Sequence, residues 1–116
     1  MQRLINAFHN SFAAFRQLIV HEKAFQQEFA VIVVAIPLAF FLSSDGLMRI
    51  ALIGSLVLVL IVEVLNTGIE AACNALSRDF HADIKIAKDC GSLAVLLTIA
   101  LAFSVWAMAA LQWWSL

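Results

Sequence analysis

The distribution of apolar and polar residues divides the chain into four segments. In residues 3–21 the apolar side chains recur every three or four positions, which gives a predicted helix one apolar face. We expect this helix to lie along a membrane surface, although a helix packed on a partner is the alternative. Residues 25–44, 47–77 and 86–114 are apolar stretches that reach the length needed to cross a bilayer. The pattern predicts an all-α membrane protein with an amphipathic surface helix and three transmembrane helices.

The composition supports a membrane location. Of the 116 residues, 64% are apolar and 13% are charged, and the mean hydropathy is +0.98. A soluble domain of this length cannot bury so much apolar surface, so we interpret residues 1–116 as a single membrane domain. The net charge of −1 provides no basic field that would favour nucleic acid. The first 25 residues lack the features of a secretory signal, so we expect the transmembrane helices themselves to direct insertion.

The basic residues predict the orientation of the three transmembrane helices. Only Arg49 lies near the loop that joins the first transmembrane helix to the second. The other six precede the first transmembrane helix or lie between the second and the third: Arg3, Arg16, Lys23, Arg78, Lys85 and Lys88. By the positive-inside rule, the N-terminus and the charged link 78–89 are cytoplasmic and the C-terminus is outside.

Polar residues inside the second transmembrane helix are the strongest indication of function. Glu63, Asn66, Glu70 and Asn74 fall on one narrow stripe of a helix. A charged carboxylate at the centre of such a helix costs about 2.5–3.5 kcal/mol on insertion scales, so the stripe should face protein or water. Counted from Leu47, Glu63 lies roughly 24 Å along the helix and Glu70 roughly 35 Å, which places the polar stripe toward the cytoplasm.

Further charged residues are predicted at the same level of the membrane. Glu22 and Glu28 flank the junction between the surface helix and the first transmembrane helix, and Lys88, Asp89 and Ser92 lie near the start of the third. Carboxylates in close proximity repel one another unless a cation neutralises them. Mg²⁺ is the natural candidate, because it binds one or two carboxylates together with substrate phosphates. The alternative is that these polar residues only join helices through hydrogen bonds.

Three motifs carry a resemblance to a known family. They are E-x-A-F-x-Q-E at 22–28, I-V-E-V-L-N-T-x-I-E-A at 61–71 and A-K-D-x-G-S at 87–92. Together they resemble the prokaryotic diacylglycerol kinase family, over nearly the whole chain. The resemblance implies ATP-dependent phosphorylation of diacylglycerol to phosphatidic acid. It also implies a homotrimer in the bacterial inner membrane, with active sites between protomers at the cytoplasmic interface.

The resemblance also implies roles for individual residues. Glu63 matches the general base that deprotonates the lipid hydroxyl, Asn66 supports it, and Glu22 and Glu70 match the Mg²⁺ ligands. The positions that match ATP-binding residues are Arg3, Glu22, Glu70, Asp79, Phe80, His81, Lys88 and Asp89. The positions that match lipid-binding residues are Arg3, Ser11, Arg16, Gln27, Glu28, Glu63 and Ser92.

The sequence departs from the family pattern at a few positions and leaves alternatives open. The family often has Asp at Asn74, Tyr-Ser-Trp at residues 10–12 and Arg at Gln26. These differences leave the catalytic positions intact but leave the acceptor open, and undecaprenol is the alternative within the family.

None of the four glycines forms a Walker A motif. An ion or proton transporter is disfavoured because the third transmembrane helix has no ionisable residue beyond its cytoplasmic start, and a non-catalytic membrane assembly subunit is a remote alternative.

Overall fold

The protein consists of four helices and no strands. The computed structural model describes all 116 residues, with helices α1 (Gln2–His21), α2 (Lys23–Leu42), α3 (Gly46–Leu76) and α4 (Ala82–Trp114). Helices α2, α3 and α4 are long and apolar enough to cross a membrane. The predicted fold class is therefore confirmed: the chain is an all-α, multi-pass membrane protein with three candidate transmembrane helices and an additional N-terminal helix.

A single residue separates α1 from α2. Glu22 has an extended backbone (φ −106°, ψ 111°), so the helical hydrogen-bond pattern stops there and resumes in α2. The side-chain amide of Gln26 donates hydrogen bonds to the carbonyl oxygens of Ile19 (2.9 Å) and Val20 (3.2 Å), which lack partners at the end of α1. This elbow places Glu22 at the corner between the two helices.

The apolar face of α1 is only partly covered. Phe15 lies edge-on to Phe25 and Phe29 of α2, with ring centroids 5.7 and 5.6 Å apart, and Leu18 is buried beside them. The apolar residues nearer the N-terminus, such as Phe8 and Phe12, stay exposed. An amphipathic helix that buries one end against α2 and leaves the rest of its apolar face open is suited to a membrane surface.

Helices α2, α3 and α4 form a bundle in which α3 packs against both neighbours. A core of Ala39, Leu52 and Ala109 lies at the end of the bundle near residues 43–45, and Met48, Ile53, Val105 and Trp106 pack around it. We call this the loop end. The indole of Trp106 donates to the carbonyl oxygen of Leu52 at 3.0 Å. Trp106 is thus a contact between α4 and α3.

The loop end is also stabilised by Arg49. Its guanidinium donates to the carbonyl oxygens of Ser43 (2.7 Å) and Phe40 (3.3 Å) and lies 4.2 Å from the centroid of the Phe40 ring. These bonds satisfy carbonyl groups at the C-terminus of α2, where no further helical donor follows. The single basic residue at this end of the bundle is thereby used for helix capping.

The helix boundaries differ from the predicted ones by a few residues. Asp45 accepts a hydrogen bond from the Met48 amide at 3.3 Å and acts as the N-cap, so α3 begins at Gly46, which was predicted to lie in the turn. The charged link predicted at 78–89 is shorter, because α4 begins at Ala82 and only 77–81 are non-helical. At about 1.5 Å per residue, α3 and α4 exceed the roughly 30 Å hydrocarbon core, so a polar end can extend beyond it.

Most large apolar side chains face outward from the protomer. Only 12 of the 116 residues are buried, and exposed Leu, Ile, Val and Phe side chains occur on every helix. In water such a surface would aggregate, whereas in a bilayer it contacts acyl chains or further copies of the protein. The high apolar content of the sequence is therefore located mainly on the outside of the bundle.

Candidate active site

The polar stripe of α3 lies at the end of the bundle opposite Leu52, between α3, α4 and the elbow at Glu22. We call this the polar end and define it by Glu22, Glu28, residues 63–74 and residues 85–92. Leu52, Val59, Asn66 and Cys73 are buried positions of α3, at intervals of seven residues. This spacing is that of a helix packed along its neighbour. Asn66 therefore occupies a position in this row that the other members fill with apolar side chains.

Asn66 is almost completely enclosed, yet its hydrogen bonding is incomplete. The side chain is 8% exposed, and its Nδ2 donates to Oε1 of Glu70 at 3.3 Å. Its Oδ1 is buried and accepts no hydrogen bond. An unpaired buried carbonyl group costs free energy, and such groups in native structures frequently belong to functional sites. Asn66 and Glu70, predicted to lie on one face, are in direct contact.

Four carboxylates lie at the polar end, with Glu22, Glu28 and Glu70 each within electrostatic reach of Glu63. The charge of Glu63 interacts with those of Glu70 and Glu22, and the charge of Glu28 interacts with that of Glu63. No basic side chain forms an ion pair with any of them. Repulsion within this group would be relieved by a bound cation.

The carboxylates of this group can supply some, but not all, of the ligands of a Mg²⁺ ion. Carboxylate oxygens are the hard ligands that Mg²⁺ prefers. No three acidic, His or Cys side chains of one chain converge closely enough to form a complete metal cage. The arrangement instead fits an ion held by one or two carboxylates, whose remaining positions are filled by phosphate oxygens and water.

Lys88 reaches from α4 to α3. Its ammonium donates to Oδ1 of Asn74 at 2.9 Å, in a half-buried position. Because the acceptor is a neutral amide, the positive charge of Lys88 is not cancelled within the protomer. An ammonium whose charge is not cancelled by a carboxylate is suited to contact a phosphate group.

The neighbouring Asp89 points elsewhere. It forms the single ion pair of the chain, with Lys85 at 2.6 Å, and both side chains are about 60% exposed. The resemblance to the family implied that both Lys88 and Asp89 bind the nucleotide. A helix turns 100° per residue, so adjacent side chains face different directions, and here Asp89 is turned toward Lys85 one turn earlier.

The remaining predicted site residues are exposed in the protomer. In α1, Arg3, Ser11 and Arg16 lie on the surface, with the Arg16 guanidinium 5.4 Å from the centroid of the Phe12 ring. The exposed residues elsewhere are Gln27, Asp79, Phe80, His81 and Ser92. The protomer brings together the four carboxylates, Asn66 and Lys88 around the polar end, and it leaves these other side chains open.

An apolar groove runs along the bundle and reaches the polar end. Its volume is about 740 Å³, and its lining is almost entirely apolar, with Val31, Val59, Ala102 and Phe103 among its walls. Gln27 and Glu28 provide its only polar side chains apart from the indole of Trp106. Oε2 of Glu28 is buried without a hydrogen-bond partner. The groove can therefore hold an apolar chain whose polar group lies near Glu28.

Two contacts at this end were not predicted from the sequence. One is the Lys88–Asn74 hydrogen bond, which joins residues 14 positions apart on different helices. The other is the packing of Gly91 in α4 against the Asn66 side chain. Gly91 lies in the 87–92 motif, which was the only signal that could have indicated it.

Comparison with known proteins assigns the chain to a family. Residues 9–110 match the family described as prokaryotic diacylglycerol kinase. The diacylglycerol kinase of Escherichia coli K12 is 38% identical over 104 residues, which cover 90% of this chain and 85% of that protein. The chain belongs to the prokaryotic diacylglycerol kinase family.

Relatives from other bacteria agree. The diacylglycerol kinase of Pseudomonas aeruginosa is 37% identical, with 92% of this chain and 87% of that protein aligned. That of Haemophilus influenzae is 30% identical, with 91% and 90% aligned. Membership of the prokaryotic diacylglycerol kinase family makes the chain a lipid kinase, and a kinase requires a nucleotide co-substrate.

Proposed function

We propose that this protein transfers the γ-phosphoryl group of MgATP to the hydroxyl of diacylglycerol and so forms phosphatidic acid. The observation that carries the proposal is the group of carboxylates around Glu63 at the polar end, beside Asn66, Lys88 and an apolar groove. This combination offers a base, cation ligands and a site for an acyl chain in one place. The relatives named diacylglycerol kinase favour diacylglycerol as the acceptor.

Phosphoryl transfer needs positioning and neutralisation of charge more than covalent assistance from the protein. Glu63 accepts the proton of the lipid hydroxyl while that oxygen bonds to the γ-phosphorus. The bond from this phosphorus to the bridging oxygen breaks, and ADP leaves. Asn66 donates a hydrogen bond to Glu70 and holds that carboxylate beside Glu63. A general base contributes about 10²–10⁴ in rate.

Glu22 and Glu70 would hold the divalent ion on the ATP phosphates. When bound, Mg²⁺ neutralises the phosphate charge and reduces the repulsion between these carboxylates. Lys88 contacts a phosphate oxygen from its position on Asn74. The other proposed nucleotide contacts are Arg3, Asp79, Phe80, His81 and Asp89.

The lipid is proposed to enter from the side, along the apolar groove. Its acyl chains contact the apolar walls, and its hydroxyl lies between Glu28 and Glu63. Gln27 and Ser92 contribute polar contacts to the glycerol backbone. Ser11, Arg16 and Arg3 on α1 approach the lipid from the membrane surface.

The proposed orientation places the polar end at the cytoplasmic face of the bacterial inner membrane. Six of the seven basic residues then lie on the cytoplasmic side, and the C-terminus is outside. The exposure of Asp79, Phe80 and His81 supports a site completed by another protomer, and we propose a homotrimer. Residues 1–116 act as one domain within it.

The test is transfer of ³²P from γ-labelled MgATP to lipid in mixed micelles, with diacylglycerol and undecaprenol offered separately. Labelled phosphatidic acid, lost in Glu63→Gln, supports the proposal. Label on undecaprenol alone would keep the chemistry and replace the acceptor. Absence of label on both lipids, from folded wild-type protein with Mg²⁺ present, would reject the kinase proposal and favour an assembly subunit.

A further inference from the structure

Gly91 has an environment that differs from that of the other glycines. It is buried in α4, and a Cβ atom added there would overlap Oδ1 of Asn66 in α3. At Gly46, Gly54 and Gly68, an added Cβ would meet no atom within 4 Å. The lack of a side chain is therefore sterically required at Gly91 alone.

The atom that lies against Gly91 is Oδ1 of Asn66, which no hydrogen bond holds in place. Oδ1 of Asn66 accepts no hydrogen bond, although it is buried. The other end of the same amide donates to Glu70 at 3.3 Å. The orientation of the amide thus depends on one hydrogen bond and on packing, to which the surface of Gly91 contributes.

Glu70 in turn depends on Asn66. Its side chain is exposed, so packing does not fix it, and the amide of Asn66 is its only hydrogen-bond donor. A ligand that moves freely loses conformational entropy when it binds a metal ion, whereas one held by a neighbouring hydrogen bond loses less. The contacts form a chain from Gly91 through Asn66 to Glu70.

We propose that Gly91 is a positioning residue of the active site. By leaving room for the Asn66 amide between α3 and α4, it sets the direction in which Asn66 holds Glu70. The inference rests on the proposed function, because it takes Glu70 as a ligand of the divalent ion. Gly91 itself touches neither substrate nor metal.

The proposal predicts a specific consequence of Gly91→Ala. The new methyl group displaces the Asn66 amide, because the alternative, separation of α3 from α4, would disrupt contacts along the whole interface. Loss of a hydrogen bond that orients a metal ligand typically lowers metal affinity or activity about 10–100-fold. We expect kcat to fall by about tenfold or more and the Mg²⁺ concentration for half-maximal rate to rise, with little change in KM for diacylglycerol.

Matched substitutions separate positioning from general effects of alanine in a helix. Gly54→Ala adds the same methyl group outside the polar end, where space is open, and its kcat should stay within about twofold of wild type. In an Asn66→Ala background the shortened side chain leaves room, so adding Gly91→Ala should change kcat by less than about twofold. Such non-additivity is the signature of two coupled residues.

A second measurement does not depend on catalysis. In protein labelled with ¹⁵N-asparagine, the side-chain NH₂ signal of Asn66 is assigned by its loss in Asn66→Ala. We expect Gly91→Ala to shift this signal and to weaken Mn²⁺ binding measured by electron paramagnetic resonance. Gly54→Ala should change neither.

The possible outcomes distinguish failure of the Gly91 proposal from failure of the kinase proposal. An unshifted Asn66 signal in Gly91→Ala, or an equal fall in kcat in both backgrounds, would overturn the proposal. A shifted Asn66 signal with unchanged Mn²⁺ binding and unchanged kcat would overturn it too, since Gly91 would then only pack helices. If wild-type protein transfers no phosphate, the kinase proposal fails, and the NMR and Mn²⁺ measurements still decide whether Gly91 positions Asn66 and Glu70.

Discussion

The two ends of the helical bundle differ in how completely their buried polar groups are hydrogen-bonded. At the loop end the Leu52 carbonyl accepts hydrogen bonds from Trp106 (3.0 Å) and Ser55 (2.8 Å), and Arg49 satisfies carbonyl groups at the end of α2. At the polar end Oδ1 of Asn66 and Oε2 of Glu28 are buried without partners. The same three helices thus have satisfied polar groups at one end and unsatisfied ones at the other.

This contrast indicates that stability and catalysis depend on opposite ends of the bundle. An apolar core such as Ala39, Leu52 and Ala109, in which two of the three residues are small, allows close helix packing and gains van der Waals contact. Unpaired carboxylates and an unpaired amide oxygen oppose folding, and they become favourable when a cation, a phosphate or a hydroxyl occupies the site. We therefore expect substitutions at the loop end to alter stability first and substitutions at the polar end to alter catalysis first.

The largest effect is expected for Glu63→Gln, which removes the proposed base without changing the shape of the side chain. The kcat for diacylglycerol should fall by about 10²–10⁴-fold. The thermal unfolding midpoint in detergent should stay the same or rise, because one repelling charge is lost from the group with Glu22 and Glu70. A lowered midpoint together with the lost activity would contradict the separation of the two ends.

Leu52→Ala is the corresponding change at the loop end. Leu52 is completely buried, so the substitution leaves a cavity in the core. Because lipid is as apolar as leucine, the loss is mainly one of packing, and we expect about 1–3 kcal/mol of destabilisation. The measurement is unfolding in mixed detergent and SDS, followed by circular dichroism.

The catalytic constants provide the control for Leu52→Ala. The fraction of protein that remains folded should keep kcat and both KM values near those of wild type. A selective fall in kcat, with the folded fraction unchanged, would show that packing at the loop end affects catalysis at the polar end.

A smaller effect is expected for Asn74→Leu, which keeps the size of the side chain and removes the acceptor of Lys88. A hydrogen bond to a charged group contributes about 1.5–3 kcal/mol when buried and less at this half-buried position, so KM for MgATP should rise roughly 3- to 10-fold. Asn74→Asp retains an acceptor and should change KM less than Asn74→Leu does. If both variants keep the wild-type KM, Asn74 does not position Lys88 for the nucleotide.

The smallest effect is expected for Trp106→Phe, which removes the hydrogen bond from α4 to the Leu52 carbonyl. Hydrogen bonds between transmembrane helices average about 0.6 kcal/mol, so the loss of stability should be of that order. Unfolding in SDS measures it. Phosphate transfer should be unchanged, because phenylalanine keeps an aromatic side chain in the wall of the apolar groove. A change in stability as large as that of Leu52→Ala would mean that Trp106 also contributes substantially by packing.

Much of the fold was accessible from the sequence. The surface helix and the three transmembrane helices were predicted within about four residues of their observed ends, because apolar length and periodicity depend on local sequence. The start of α4 was placed too late, since residues 82–85, which include the charged Asp83 and Lys85, form a helical turn that extends beyond the apolar segment. The hydrogen bond from Trp106 to the Leu52 carbonyl was not predictable, because it depends on how α4 packs against α3.

The sequence by itself determined which helix carries the polar stripe and which residues share its face. Spacing along one helix follows from 3.6 residues per turn, and the contact of Asn66 with Glu70 is a consequence of that geometry. Only the tertiary structure decided which residues of other helices meet this face. Gly91 against Asn66 and Lys88 against Asn74 depend on the relative rotation and height of α3 and α4, and these are set by packing at many positions at once.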